Sequence, residues 1–359
     1  MINPVEKLIN SLLKDGEDEA VLITSRVNQR YFTSFPSSDG FVFITKEEAY
    51  LLVDFRYAEA AKIKSKNVTV VLFSKMADTL GDLIKKHGIK KIHLENEEIS
   101  HAQFKKFENL FTSFDAKPLY GNALGGVINS IRAIKDSDAI KSTREAQRLT
   151  DEAFTYILGR IKEGVTEKEI ALDIEFFMRK NGAEGVAFDL IVVTGTNSSQ
   201  CHGVPGDTKI QKGDFITMDT GCVVDGYHSD MTRTVAVSSV NDEQKDIYET
   251  VLTAQSEAMK CIKAGAVCNE VDKVARDIID AKYPDAFGHG LGHSLGFEIH
   301  EMPRFSKLDK TILKAGMLMT NEPGIYLAGK YGVRIEDLVL VTENGHEILT
   351  KSPKNLIIL

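Results

Sequence analysis

The chain has 359 residues, about twice the commonest domain size, so its length predicts two domains or one large domain with an appendage. It is 43% hydrophobic and 27% charged with a formal net charge of −8, which argues against a basic surface that tracks nucleic-acid phosphates. No apolar run reaches the roughly 18 to 20 residues of a membrane span, and the first residues lack a basic segment followed by an apolar core, so a cytoplasmic protein without a membrane partner is expected. Apolar runs at 20–24, 41–44, 50–53, 68–73 and 92–94 then predict strands. Helical patterns near 3–14, 55–66, 76–87 and 100–110 fall between several of them, the rhythm of a small α/β domain. Residues 120–129 are Gly-rich and weakly patterned, which places a boundary there and gives domains 1–127 and 128–359. Past it, 136–163 carries a long charged helical pattern. A second helix starts at Thr166, whose hydroxyl forms a capping box with Glu169, and stops at Asn181-Gly182. From Ile191 the chain is strand-rich, with helical stretches near 241–263 and 269–281.

An internal repeat lies in the second region. Ile210-Gln211-Lys212-Gly213-Asp214-Phe215-Ile216-Thr217-Met218-Asp219-Thr220-Gly221 aligns with 313–324 at an offset of 103, matching Gly213 with Gly316, Thr217 with Thr320, Asp219 with Glu322 and Gly221 with Gly324. Each copy runs on to a second acid at the start of another strand, Asp230 in the first and Glu336 in the second. Two similar halves with two carboxylates each suggest a pseudo-symmetric domain with its site on the seam.

Asp219 and Asp230 flank Asp225-Gly226, a dipeptide that favours a two-residue hairpin turn. In that turn residues pair where their numbers sum to 451, so Asp219 faces Thr232 and Asp230 faces Gly221. The two acids then share one face, roughly 7–8 Å apart at the backbone. Buried together they repel, and a shared proton or a cation must compensate; solvated strand-end acids are the alternative. Three of the nine histidines, His289, His293 and His300, fall within twelve residues among glycines 288, 290, 292 and 296. Glycines there let imidazoles, backbone and ligand approach closely. The strip is not the G-x-G-x-x-G dinucleotide fingerprint, because Gly296 comes one place too late. Four acids with histidines point to a binuclear metal centre. Four carboxylates balance two divalent ions, and one neutral imidazole completes a donor set that favours Mn²⁺, Co²⁺, Fe²⁺ or Zn²⁺ over Ca²⁺. The four cysteines form no C-x-x-C pair and are expected to be reduced thiols.

Asp219-Thr220-Gly221, Asp230-Met231-Thr232-Arg233-Thr234, His289-Gly290-Leu291-Gly292-His293, His300-Glu301-Met302-Pro303, Glu322-Pro323-Gly324 and Arg334-Ile335-Glu336-Asp337 resemble, in order, motifs of the Xaa-Pro peptidases, prolidase and aminopeptidase P. The resemblance covers 130–359 and implies an α+β pita-bread catalytic domain whose halves are the two repeats. It implies five metal ligands, Asp219, Asp230, His293, Glu322 and Glu336, holding two divalent ions, Mn foremost with Co or Zn as alternatives. It further implies that His202 contacts substrate near the scissile bond and that His300 hydrogen-bonds the tetrahedral intermediate. His289 and Arg334 would shape the proline pocket and anchor the substrate or a ligand carboxylate, and Glu322 would also shuttle the proton. Cys201 and Cys222 match no catalytic position. The first domain resembles the shorter prolidase N-terminal domain, with Asp54-Phe55-Arg56-Tyr57 matching a recurring segment, which implies a homodimer and argues against methionine aminopeptidase. The expected function is a metallopeptidase acting on proline-containing peptides, leaning to Xaa-Pro dipeptidase over Xaa-Pro aminopeptidase. A non-catalytic pita-bread binding module and a creatinase-like hydrolase working without metal are the other classes, and the full ligand set counts against both.

Overall fold

A computed structural model describes residues 3–359, and the chain forms two compact units, Met1–Arg132 and Ala133–Leu359. The first comprises α1 (Pro4–Leu8), continued as a π-helical turn over Ile9–Leu13, β1 (Glu19–Ile23), α2 (Arg26–Thr33), β2 (Phe41–Thr45), β3 (Ala49–Val53), α3 (Ala58–Lys64), β4 (Thr69–Leu72), α4 (Met76–Lys86), β5 (Lys91–Leu94), α5 (His101–Thr112), β6 (Lys117–Leu119) and α6 (Ala123–Ala133). Its sheet runs β4-β3-β2-β1-β5-β6, antiparallel at β1/β2 and β2/β3 and parallel elsewhere. Strand residues alternate between two cores. Val21, Ile23, Val42, Ile44 and Leu51 pack with Leu8, Phe32 and Ile128, while Ala20, Leu22, Phe43 and Leu52 pack with Leu80, Ile84 and Phe111. Burial on both faces explains why these strands read as unbroken apolar runs.

Two elements here depart from the sequence pattern. Helix α2 is short and polar, and the buried Glu95 carboxylate holds its start, accepting from Thr24 N, Ser25 N (2.8 Å) and Asn28 Nδ2 (2.7 Å). The 120–129 stretch, read as a weakly patterned boundary, carries most of helix α6 instead, and the first unit runs to Arg132. Leu124, Ile128 and Ile131, at helical spacing, join the core, and that burial outweighs Gly125 and Gly126, which cost about 1 kcal/mol each relative to Ala.

The second unit comprises α7 (Ser137–Leu158), α8 (Glu167–Lys180), β7 (Gly185–Val186), β8 (Ile191–Thr194), β9 (Phe215–Thr220), β10 (Cys222–Val224), β11 (Tyr227–His228), β12 (Met231–Ala236), α9 (Asp242–Cys261), α10 (Cys268–Asp280), β13 (Gly292–Ser294), β14 (Glu301–Phe305), β15 (Leu318–Asn321), β16 (Gly324–Leu327), β17 (Tyr331–Arg334), β18 (Asp337–Thr342) and β19 (Gly345–Ile348). The Thr166/Glu169 capping box opens α8: Thr166 Oγ1 accepts from Glu169 N at 3.2 Å and Glu169 Oε2 accepts from Thr166 N at 2.8 Å.

The repeat is a repeat of architecture. Helices α7 and α8 precede an antiparallel β12-β9-β8 sheet, and α9 and α10 precede antiparallel β13-β15-β18. Gly213 and Gly316 take matching left-handed conformations (φ 86° and 90°), and each donates its N–H to a carbonyl, of Val237 just after β12 (2.8 Å) or of Val341 in β18 (2.9 Å). In each copy one strand face is apolar and meets the helices: Ile216 and Met218 lie with Leu149 and Ile170, and Met319 and Val339 lie with Val251 and Val271. The period of two therefore puts Thr217, Asp219, Thr320 and Glu322 on the opposite faces. Among the described residues no helix is long and apolar enough to cross a membrane.

Candidate metal centre

The first two acids come from one hairpin. Asp219 pairs with Thr232, Met231 with Thr220 and Val223 with His228, the register in which residue numbers sum to 451. Asp225 and Gly226 both have positive φ (50° and 84°), as the two-residue turn requires. A Cβ on Gly221 would lie 2.1 Å from Ser229 O, so only glycine permits the close approach of chain beside Asp219. Glu322 follows β15 and Glu336 precedes β18, and Glu336 N donates to Thr232 O at 3.1 Å, stitching the second copy to the first. His293 lies in β13, its Nδ1 3.1 Å from the Ser294 carbonyl. A carbonyl there fixes the proton on Nδ1 and leaves the Nε2 lone pair free, the tautomer a metal needs.

That lone pair faces acids. His293 Nε2 is 3.5 Å from Asp230 Oδ2 and 3.5 Å from Glu322 Oε1, and Asp230, His293 and Glu336 present donor atoms all within 4.8 Å of one another. Burial, then Glu336 and Asp219, raise the Asp230 carboxyl well above its ordinary range. Burial, then Glu322 and Asp219, do the same to Glu336. Burial with Asp219 nearby lifts Glu322 to about 8 against the opposing Arg334 charge, and burial with His300 nearby lowers His293 to about 3. Two carboxylate oxygens are orphaned. Asp219 Oδ2 accepts from Arg334 Nη2 (2.6 Å) and Glu336 Oε2 from Thr232 Oγ1 (2.7 Å), whereas Asp219 Oδ1 and Glu336 Oε1 are buried without a hydrogen-bond partner among the described residues. Unpartnered buried carboxyl oxygens facing a neutral imidazole lone pair are unfavourable alone and fit divalent cations.

All nine residues expected at the site line one cavity of about 730 Å³: Asp219, Asp230, His293, Glu322, Glu336, His202, His289, His300 and Arg334. They are not equally free. His202 and His300 are exposed to it. His289 is engaged at both ring nitrogens, with Gly290 O (2.8 Å) and Tyr326 Oη (3.0 Å), and burial lowers its pKa to about 4. Arg334 is spent within the protein: Nη2 donates to Asp219, Nε to Thr232 Oγ1 (3.0 Å) and Nη1 to Tyr326 Oη (2.8 Å). Of the two roles expected for Arg334, this geometry favours holding a carboxylate ligand over anchoring substrate.

The metallopeptidase family M24 model matches residues 141–343, the part of the chain that builds this cavity, and the Creatinase/Prolidase N-terminal domain model matches 5–134. The chain belongs to metallopeptidase family M24. An uncharacterized peptidase of Bacillus subtilis, YqhT, is 40% identical, covering 99% of each chain, and the Xaa-Pro dipeptidase of Pyrococcus horikoshii is 39% identical with the same coverage. Among solved structures, an Xaa-Pro dipeptidase from Bacillus anthracis superposes with TM-score 0.93 at 39% identity, covering 99% of each chain. An X-Pro aminopeptidase from Thermotoga maritima superposes with TM-score 0.89 at 36% identity, covering 95% of this chain and 97% of that one.

Two residues of this M24 peptidase escaped sequence reasoning. Tyr326 lies half-buried between His289 and Arg334, and desolvation of its hydroxyl raises that group well above the ordinary range. Arg304 lines the cavity, its charge felt by both His293 and His300, yet its guanidinium has no hydrogen-bond or ion-pair partner among the described residues. Its place four residues after His300 was the only available signal. Cys201 also lines the cavity, and burial holds it as a thiol.

Proposed function

We propose that this peptidase cleaves the bond before proline in short peptides, preferring Xaa-Pro dipeptides, with two divalent ions, Mn²⁺ foremost, and as a cytoplasmic homodimer. The cluster of four carboxylates around a neutral imidazole, with two orphaned buried oxygens, carries the metal reading. The relatives described as Xaa-Pro dipeptidase and X-Pro aminopeptidase support the bond class and divide on substrate length. Arg304 supports the shorter substrate: an unpaired guanidinium in the cavity suits the carboxylate that ends a dipeptide at its proline. Exposed Phe55, Ile63 and Leu72 in the first unit support a self-associating face, and four free cysteines suit a reducing compartment.

Asp219, Asp230, His293, Glu322 and Glu336 would hold the ions, which when bound supply Lewis acidity to the scissile carbonyl and to the attacking water. Glu322, whose side chain keeps 17% exposure, takes the proton from that water and carries it to the departing proline nitrogen. A carried proton matters here, because the nitrogen of an Xaa-Pro bond has no hydrogen of its own. His300 donates to the carbonyl oxygen as charge develops on it. His202 touches the substrate near the bond, and His289, braced by Tyr326, walls the proline end. Arg334 keeps Asp219 aimed.

Metal per chain and kcat/KM on Ala-Pro and Ala-Pro-Ala test the reading. Cleavage of both, faster for the dipeptide and lost on chelation, is expected. No cleavage by the metal-loaded protein overturns the function, and a clear tripeptide preference moves it to aminopeptidase.

A further inference from the structure

His300 has no hydrogen bond to its ring among the described residues; its imidazole only meets that of His293 edge-on, with centroids 4.5 Å apart. Its position therefore derives from the backbone of the loop between β13 and β14, and that loop is tied at its base. Ser294, directly after His293, and Glu301, directly after His300, are strand partners across the loop's two ends, where the register is broken between His293 and Ser294. The Lys135 ammonium reaches both: Nζ donates to Glu301 Oε2 at 3.0 Å and to Ser294 Oγ at 3.3 Å. The lysine and glutamate side chains are only 2% and 6% exposed. Lys135 is itself fixed, its backbone N–H donating to Gly316 O at 2.9 Å. The other Glu301 oxygen accepts from Glu298 N at 3.3 Å, and a Cβ on Gly296 would lie 2.8 Å from it, so the loop closes against this carboxylate. His228 N donates to Gly296 O at 2.9 Å, and Tyr227 packs edge-on against Phe297.

We infer that the buried Lys135–Glu301 pair is a positioning device for catalysis: one ammonium clamps both ends of the His293–His300 loop and thereby sets where the otherwise unsupported His300 imidazole meets the substrate. This rests on the role proposed for His300. A buried pair is weak evidence for stability as such, since an apolar pair of similar size is often as stable. Its use here is geometric, because a displacement of about 1 Å at a reacting group costs on the order of 10²-fold in rate.

A double-mutant cycle with Lys135→Met and His300→Ala tests the clamp. Lys135→Met is expected to lower kcat by roughly 10- to 100-fold on a proline dipeptide, leaving bound metal unchanged and KM little altered. In the His300→Ala background the same substitution should cost less than about 3-fold, the mark of action through His300 that a general loss of structure does not give. Equal losses in both backgrounds, or a loss matched by lost metal, overturn the inference. Should Lys135→Met not fold, Glu301→Gln goes through the same cycle with the same criterion. Crystal structures of wild type and variant give a reading without turnover: loop 295–300 must shift, and an unmoved loop overturns the clamp. Failure of the wild-type protein to cleave Xaa-Pro peptides counts instead against the proposed function, leaving the crystallographic outcome to decide the clamp.

Discussion

The two copies inside the second unit share a frame and differ in what they hang on it. In the first, β8 reads Ile-Val-Val-Thr, buried throughout, and the loop after it carries His202; in the second, the equivalent β13 reads Gly-His-Ser, and the loop after it carries His300. Both loops are held by a buried charge of opposite sign. Glu167 accepts from Thr194 N (2.8 Å), Asn197 Nδ2 (3.0 Å) and Gly206 N (3.0 Å) around His202, whereas Lys135 with Glu301 holds the His300 loop. Helices, strand order and the acids at the strand ends follow the duplication. Only the second copy puts a histidine into the strand itself, and a single nitrogen donor among four carboxylates follows from that asymmetry.

The largest expected effect is on the unit that the two copies form together. Chelation with time for release should abolish peptidase activity, and Mn²⁺ or Co²⁺ should restore it. The same treatment should lower Tm, because two acids from each copy then repel across the seam. Full activity in excess chelator, with metal shown to be gone, breaks the idea that the copies cooperate through cations.

The next effect separates the two loops. His300→Ala should lower kcat and kcat/KM together by about 10²–10³-fold, the scale of a lost oxyanion donor. His202→Ala, at the corresponding place in the first copy, should act mostly on KM, by about 10-fold, as one lost ground-state contact of about 1.4 kcal/mol. Steady-state kinetics on one substrate checks both. Equal effects on kcat would mean that the loops have not diverged in role.

Arg304 tests substrate length more gently. Arg304→Gln should raise KM for a dipeptide by roughly 10- to 100-fold, the worth of a charge-assisted contact, and change a tripeptide ending elsewhere by much less. A parallel loss on both substrates would assign Arg304 to general shaping of the cavity.

These contrasts mark what was legible in the chain. The Asp219/Asp230 register could be read because strand side chains alternate with period two and Asp225-Gly226 fixes the parity of the turn. The α8 capping box was equally local. Helix α2 was hidden because its support, Glu95, lies about 70 residues away, and α6 because its apolar stripe only outweighs two glycines once the core exists. Motif order brought nine residues to one cavity, but it could not show that Arg334 is consumed by Asp219, Thr232 and Tyr326 while Arg304 stands unpaired. Whether a guanidinium has a partner is a property of the folded neighbourhood, not of its spacing.

The smallest effect probes the shared frame. Gly213 and Gly316 make the same left-handed turn in their copies, so alanine at either meets the same backbone cost of about 1–2 kcal/mol. Their surroundings differ. A Cβ at Gly213 would meet nothing within 4 Å, whereas at Gly316 it would press on Ile134 Cγ2 at 3.0 Å and lie 3.5 Å from Lys135 O. Gly213→Ala should therefore lower Tm by only a few degrees, at about 2–4 °C per kcal/mol for a unit of this size, with kcat intact. Gly316→Ala should lower it further. It should also reduce kcat slightly, because the strained segment carries the lysine proposed to hold the His300 loop. Equal Tm shifts with equal, unchanged kcat would show that the second copy tolerates the crowding, and that the Ile134–Lys135 segment transmits nothing to the site.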